Sequence, residues 1–87
     1  MKAYINDKLV SEDNFKNISW TFAQIISRIS YGTTIFPGDV IGSGTCATGC
    51  LLELNQTAKT NFWLKDKDAI RLEVDKMGSL ENIVRAV

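Results

Sequence analysis

Histidine is absent from all 87 residues of the chain. It is the commonest general acid–base group and metal ligand at neutral pH. An enzyme built on this chain that needs an imidazole must take it from elsewhere. Charge of one sign is missing too: ten basic and ten acidic residues cancel, and no basic cluster occurs. That argues against a nucleic-acid backbone or an anionic membrane surface as partner. No apolar run approaches the roughly 20 residues of a membrane span. The opening "MKAYINDKLV" lacks the apolar stretch of a secretory leader, so the expected compartment is the cytoplasm. Only two cysteines are present, too few for a disulfide framework or a four-thiolate zinc site.

What is there reads as one folded segment spanning residues 1–87. Apolar residues make up 45% of it, which is ordinary for a globular chain and argues against disorder. "AYINDKLV" alternates apolar and polar residues about Asn6-Asp7, two residues that tolerate positive φ, and predicts a tight β-hairpin. "SEDNFKN" is a polar connection. In "TFAQIISRISYG", Phe22, Ile25, Ile26 and Ile29 fall at i, i+3, i+4 and i+7, one apolar face of a helix. Thr21 with Gln24 fits a capping box and Gly32 a stop. Pro37-Gly38-Asp39 signals a turn, after which "DVIGSGT" reads as a strand entering a glycine-rich corner. "NQTAKTN" reads as a polar loop. Two further strands are expected at Ala69–Val74 and Leu80–Val84, joined across Gly78. In the first, Ile70, Leu72 and Val74 face one way, Arg71 and Glu73 the other. The expected fold is mainly β with one helix, an α+β arrangement.

Four features could carry chemistry, each with a plainer reading beside it. Cys46 and Cys50 have three residues between them, not the two of a redox or zinc pair, and no second pair completes a metal site. Packing of a tight corner is the plain reading; a redox or zinc role predicts retained zinc or a mobile disulfide. Glu73 with Asp75, and Asp66 with Asp68, could offer hard oxygen ligands to a divalent cation. Lysines and an arginine interleave both pairs, the pattern of a solvated surface. The corner "GSGT" matches no phosphate-loop motif. It offers open backbone N–H groups with the hydroxyls of Ser43, Thr45 and Thr48, suited to a carboxylate or oxyanion; a strand bulge is the plain alternative. Glu53, set among leucines in "CLLELN", either points to solvent or is a buried carboxylate near a cleft, the usual setting of a catalytic orienter or base.

The order of these pieces resembles the C-terminal part of the fumarylacetoacetate hydrolase family. That family's catalytic domain ends with a hairpin carrying V-N-G, an aromatic-led helix, "L-x-P-G-D-x-I-x-x-G-T", a loop, and a "W/F-L-K-x-G-D" ending with a late "I-G-x-L-x-N". The counterparts here are "AYINDKLV", "NISWTFAQIISRIS", "IFPGDVIGSGT" and "FWLKDKDAIRLEVDKMGSLENIV", so the likeness spans nearly the whole chain. It implies the C-terminal portion of a mixed β-roll or sandwich. It also implies a divalent metal (Mg²⁺, Mn²⁺ or Ca²⁺) and substrates that are 2-oxo or 1,3-dicarbonyl acids, such as acylpyruvates. In the family the metal stabilises the enol oxygens as a bond to carbon breaks, and a histidine–glutamate pair activates water in the hydrolases.

Two positions carry over. Thr45 matches the threonine of the G-T step that lies against substrate, with the Gly44 backbone expected to contribute beside it, and Glu53 matches the glutamate of "L-E-L" that partners the histidine in fumarylacetoacetase. The metal ligands, the histidine and a substrate-binding lysine precede this region in the family and have no counterparts here. The resemblance therefore implies an inactive part of a hydrolase or lyase, completed by the upstream part of the same domain or by a partner chain, with a homo-oligomer expected. The alternative is a non-catalytic binding or structural module that keeps the fold and pairs with a partner. At the last turn "KDKD" stands where "K-P-G-D" is usual.

Overall fold

Two turns and one asparagine organise the sheet. In the computed structural model, which describes residues 1–59 and 61–87, strand β1 (Lys2–Ile5) and strand β2 (Lys8–Glu12) form the expected hairpin. Asn6 and Asp7 both take left-handed conformations, φ 50° and 64°, the geometry a two-residue hairpin loop demands. Strand β3 (Ala69–Val74) pairs antiparallel with β1 on its other side, and β4 (Gly78–Ile83) flanks β3, giving the order β2-β1-β3-β4. Asn6 joins the first hairpin to the second. Its backbone N–H donates to the Ala69 carbonyl (2.8 Å). Its side chain donates to Asp68 Oδ1 and accepts from the Ala69 N–H, both at 2.9 Å. Asp68 in turn accepts from the Lys65 N–H (2.8 Å), and these bonds hold its carboxyl below the usual carboxylate range, the Asn6 amide first among them.

The turn that departs from the family pattern bends through Lys67. Lys67 takes φ 71° and donates its N–H to the Val84 carbonyl at 2.8 Å, so lysine does there what glycine ordinarily does. Strand β4 starts at Gly78 rather than Leu80, because Lys76 (φ 65°) and Gly78 (φ 107°) close the turn early.

The two sheet faces differ as the alternation predicts. Ala3 and Leu72 lie opposite each other, as do Ile5 and Ile70. Ile5 is the sole buried apolar side chain among the described residues, at 6% exposure. On the other face the Arg71 guanidinium stacks over the Tyr4 ring at 4.2 Å, bonds Glu73 through Nε at 2.9 Å and pairs with Asp7. Solvent-exposed pairs of this kind add little to stability.

The middle of the chain is organised differently. A single 3₁₀ turn at Phe15–Asn17 leads to helix α1 (Phe22–Ile29), whose Thr21–Gln24 capping box forms as expected. Phe15 stacks on Phe22, centroids 5.9 Å apart, which fixes how the chain enters the helix. Yet α1 packs against no other helix or strand among the described residues, and Phe22, Ile26 and Ile29 remain exposed.

Two expectations fail here. The run Asp39–Thr45 forms no strand, because no described strand lies beside it to complete a ladder. And the single expected helix is joined by a second, α2 (Leu51–Ala58), which occupies most of the expected loop at 55–61; Thr60, in that loop, lies outside the described residues. Leu51, Leu54 and Asn55 at i, i+3 and i+4 form the inward side of α2. Leu51 and Leu54 face Ile5, Val10 and Ile70 across a residual space of about 140 Å³. Asn55 is buried, donating to the Phe62 carbonyl (2.9 Å) and accepting from the Phe62 N–H (3.0 Å), which closes the link toward β3. The outcome is an α+β segment with a thin core.

Its surface is large for its mass. The chain exposes 7406 Å², whereas a compact monomer of 9.7 kDa exposes roughly 5,100 Å². The radius of gyration is 16.0 Å against about 12 Å for a compact domain of this length.

Candidate functional site

Where the glycine-rich corner approaches the start of the chain, it walls an open cleft of about 510 Å³. One side is Ser43, Gly44, Thr45 and Cys46; the other is Asp13, Asn17 and Trp20, with Met1 at the margin. Gly44, at φ 84°, occupies the left-handed region where a side chain costs about 1–2 kcal/mol. It turns the chain so that Thr45 borders the cleft. Thr45 is exposed, and neither its hydroxyl nor its N–H bonds another described residue. It is therefore open to a ligand. Thr48 and Ser43 are not equivalent to it, since Thr48 Oγ1 donates to the Ala47 carbonyl and Ser43 Oγ to the Gly44 carbonyl.

Asp13 is the residue that holds the two walls together. Its Oδ1 accepts from Asn17 Nδ2 (2.8 Å) and from the Asn14 N–H (2.7 Å), and its Oδ2 from the Ala47 N–H (3.3 Å). The chain's amino terminus bonds the Asp13 carbonyl at 2.8 Å. The Asn17 amide, then the Asn14 N–H, keep this carboxyl below the ordinary carboxylate range. The sequence signal for this was the Asp-Asn-x-x-Asn spacing in "SEDNFKN", a side-chain-capped turn; polarity alone suggested only a connection. Trp20, 65% exposed, gives the cleft an aromatic flank that nothing in its spacing announced.

Glu53 is placed elsewhere. It sits in the first turn of α2, exposed, outside the cleft lining and without a hydrogen bond or ion pair among the described residues. There a carboxylate also favours the positive end of the helix dipole, useful because Cys50 at the N-cap makes no side-chain bond. The structure thus brings Gly44 and Thr45 together and leaves Glu53 apart from them.

The residues present do not fit a metal ion by themselves. Among the described residues no three of His, Cys, Asp and Glu converge. The carboxylates that looked like pairs serve protein donors instead: Glu73 holds Arg71, Asp66 accepts from the Ala86 N–H, and Asp68 from Asn6 and Lys65. Both cysteines are free; Cys46 lies 3.8 Å from the Met1 sulfur and Cys50 is exposed. No helix among the described residues is long and apolar enough to cross a membrane.

Fold and cleft together define an α+β segment that lines a small-molecule-sized cleft and leaves much apolar surface bare. By sequence, the chain belongs to the fumarylacetoacetate hydrolase C-terminal family, whose profile matches residues 1–85. A protein of Archaeoglobus fulgidus, described as uncharacterized, is 32% identical over 78 residues, 90% of this chain and 26% of its own. The fumarylacetoacetate hydrolase domain-containing protein 2 homolog of Dictyostelium discoideum is 29% identical over 86 residues, 98% of this chain and 27% of its own. The chain thus spans about a quarter of the length of the curated relatives it matches. No solved structure matches it at a significant level.

Proposed function

We propose that this chain supplies one wall of the active site of a metal-dependent hydrolase or lyase acting on 2-oxo or 1,3-dicarbonyl acids. Cleavage of a C–C bond in an acylpyruvate-type substrate is the favoured reaction. The observation that carries this is the Gly44–Thr45 corner: an unbonded hydroxyl and N–H at the border of a cleft, in a chain of this family. Those groups suit the carboxylate or enol oxygen of such a substrate. A divalent metal (Mg²⁺, Mn²⁺ or Ca²⁺) would stabilise the enolate, and its ligands come from other polypeptide. So does the imidazole. Glu53 would orient that imidazole; its exposure and lack of partner leave its carboxylate available to a histidine delivered from outside. The full β-roll or sandwich would form when the upstream part of the domain, or a partner chain, joins this segment. Homo-oligomerisation and a cytoplasmic setting belong to the same reading.

The test is reconstitution. The chain alone is expected to be inactive. Mixed with polypeptide carrying the upstream family sequence, it should cleave acylpyruvates when Mg²⁺ or Mn²⁺ is added. Thr45→Val should then cost roughly 10²-fold in kcat, the usual loss of one oxyanion donor, and Glu53→Gln should abolish hydrolysis. A well-folded complex that stays inactive favours the non-catalytic module, a reading kept open by the absence of any convergent ligand set among the described residues. Tight Mg²⁺ binding by the isolated chain would contradict the assignment of ligands to other polypeptide.

A further inference from the structure

We propose that residues 39–43 are an acceptor for an added β-strand, donated by the polypeptide that makes up the other three-quarters of the relatives' length, and that this pairing sets the position of Gly44 and Thr45. This rests on the reading that the chain is one part of a larger domain. It goes further by naming where the joint lies.

The first support is a conflict between sequence and structure. Asp39, Val40 and Ile41 follow a Pro-Gly turn, and two adjacent β-branched residues favour extended backbone. The turn itself is well made, with the Asp39 N–H bonded to the Phe36 carbonyl (3.1 Å) and Asp39 Oδ2 accepting from the Phe36 N–H (2.9 Å). Past it, the chain is neither helix nor turn until residue 47. From Val40 to Cys46 no backbone N–H donates to any acceptor among the described residues. Backbone donors in a folded domain are almost always paired, and a row of unpaired ones is a template for another strand.

Side chains agree. Ile41 is half-buried, whereas Val40 is 96% exposed. Alternation puts them on opposite sides of the run, so one side meets this chain and the other awaits an apolar cover. The donor strand should therefore carry an apolar residue beside Val40 on the same face.

Two occupants compete, a second copy and the remainder of the domain. Two copies pairing through five residues would cover a strip about 17 Å long and one strand wide. The chain's surplus exposure is roughly 2,300 Å² over a compact monomer, beyond a standard interface of about 1,600 Å². Polypeptide three times the length of this chain covers both; one symmetric strand pair does not. The pairing also reaches the cleft directly. Ser43 ends the run, its hydroxyl bonds the Gly44 carbonyl at 3.2 Å, and Gly44 makes the left-handed bend into Thr45. Whatever fixes residues 39–43 fixes the direction from which Thr45 enters the site.

Amide hydrogen exchange tests this. The probe is the Dictyostelium relative with its matching 86-residue segment deleted. In the chain alone, the amides of Val40, Ile41 and Ser43 should exchange at the rate of unstructured peptide while those of β1 and β3 are protected. Adding the probe should slow those of the run that face the donor by about a hundredfold or more. A Val40→Pro/Ile41→Pro double variant removes a donor on each side of the run. It should lose binding at least about tenfold while keeping the melting curve of the four-stranded sheet. Protection already present in the free chain, a complex in which the run stays unprotected, failure of the probe to bind, or unchanged binding by the double variant would each overturn the proposal. A complex that protects the run yet cleaves no acylpyruvate leaves the pairing standing and overturns only the function.

Discussion

The two hairpins and the polypeptide between them obey different rules. Each hairpin is closed by residues that can bend: Asn6-Asp7 in one, Lys76 and Gly78 in the other. The two are stitched by Asn6 and Asp68 over more than 60 residues of chain. Every β1 residue has partners on both sides. Between them lie helix α1, which packs on no strand among the described residues, and a run with no partner strand among them, and this is where Gly44 and Thr45 reside. The scaffold is finished by local and cross-sheet bonds, whereas the stretch that carries the proposed site has no partner strand among the described residues. Self-sufficiency and the proposed chemistry fall to different parts.

The comparison breaks first at Ile5. Ile5→Ala should cost about 2–5 kcal/mol, enough to unfold a marginal sheet, read as loss of the cooperative urea transition. Next comes Asn6→Ala, which leaves Asp68 and the Ala69 N–H short of partners. A loss of about 0.5–1.5 kcal/mol should appear in the same transition, and an unchanged midpoint would show that the hairpins are not stitched as described. Thr21→Ala removes a cap and should cost α1 about 1 kcal/mol. Because α1 packs on no strand among the described residues, amide exchange should quicken in α1 and leave β1 and β3 untouched. Coupled loss in the sheet would mean the two regions are not separate.

Acid sharpens the contrast. Asp13 and Asp68 both titrate below their ordinary value of 3.8. A depressed folded pKa adds stability above the unfolded value, and this is lost as pH falls through the folded one. Lowering the pH from about 5 to below about 3 should therefore loosen the Asp13 side of the cleft and the Asn6–Asp68 joint. Asp13→Asn should remove the cleft's part of that response, followed by Trp20 fluorescence in a Trp63→Phe background. The smallest effect belongs to Glu53→Gln in the isolated chain, within about 0.5 kcal/mol; a larger change would make its role in α2 structural.

Legibility in the sequence followed the same division. The first hairpin, the capping box and the span of β3 were readable because each depends on neighbours in the chain: Asn-Asp at a turn, Thr and Gln three apart, apolar residues two apart. The strand at Asp39–Thr45 was read from propensity, but a strand exists only beside a partner, and none of the described strands is one. Helix α2 was missed because Asn55 and Thr57 are poor helix formers and the polar run 55–57 looks like a loop. Asn55 is inside for a reason propensity does not encode: its amide substitutes for a backbone partner at Phe62. Thr45 was recognisable through the motif that contains it. Asp13 was not, since its importance lies in reaching Ala47, 34 residues on.

Lys67 and Lys76 occupy backbone conformations usually reserved for glycine. A lysine there costs about 1–2 kcal/mol, yet glycine would loosen the unfolded chain by about 0.4–1 kcal/mol. The first term is the larger, so Lys67→Gly and Lys76→Gly should each leave the sheet slightly more stable. A search keyed to the K-P-G-D spelling would pass over this chain, although the third place of its K-D-K-D turn still takes a left-handed bend.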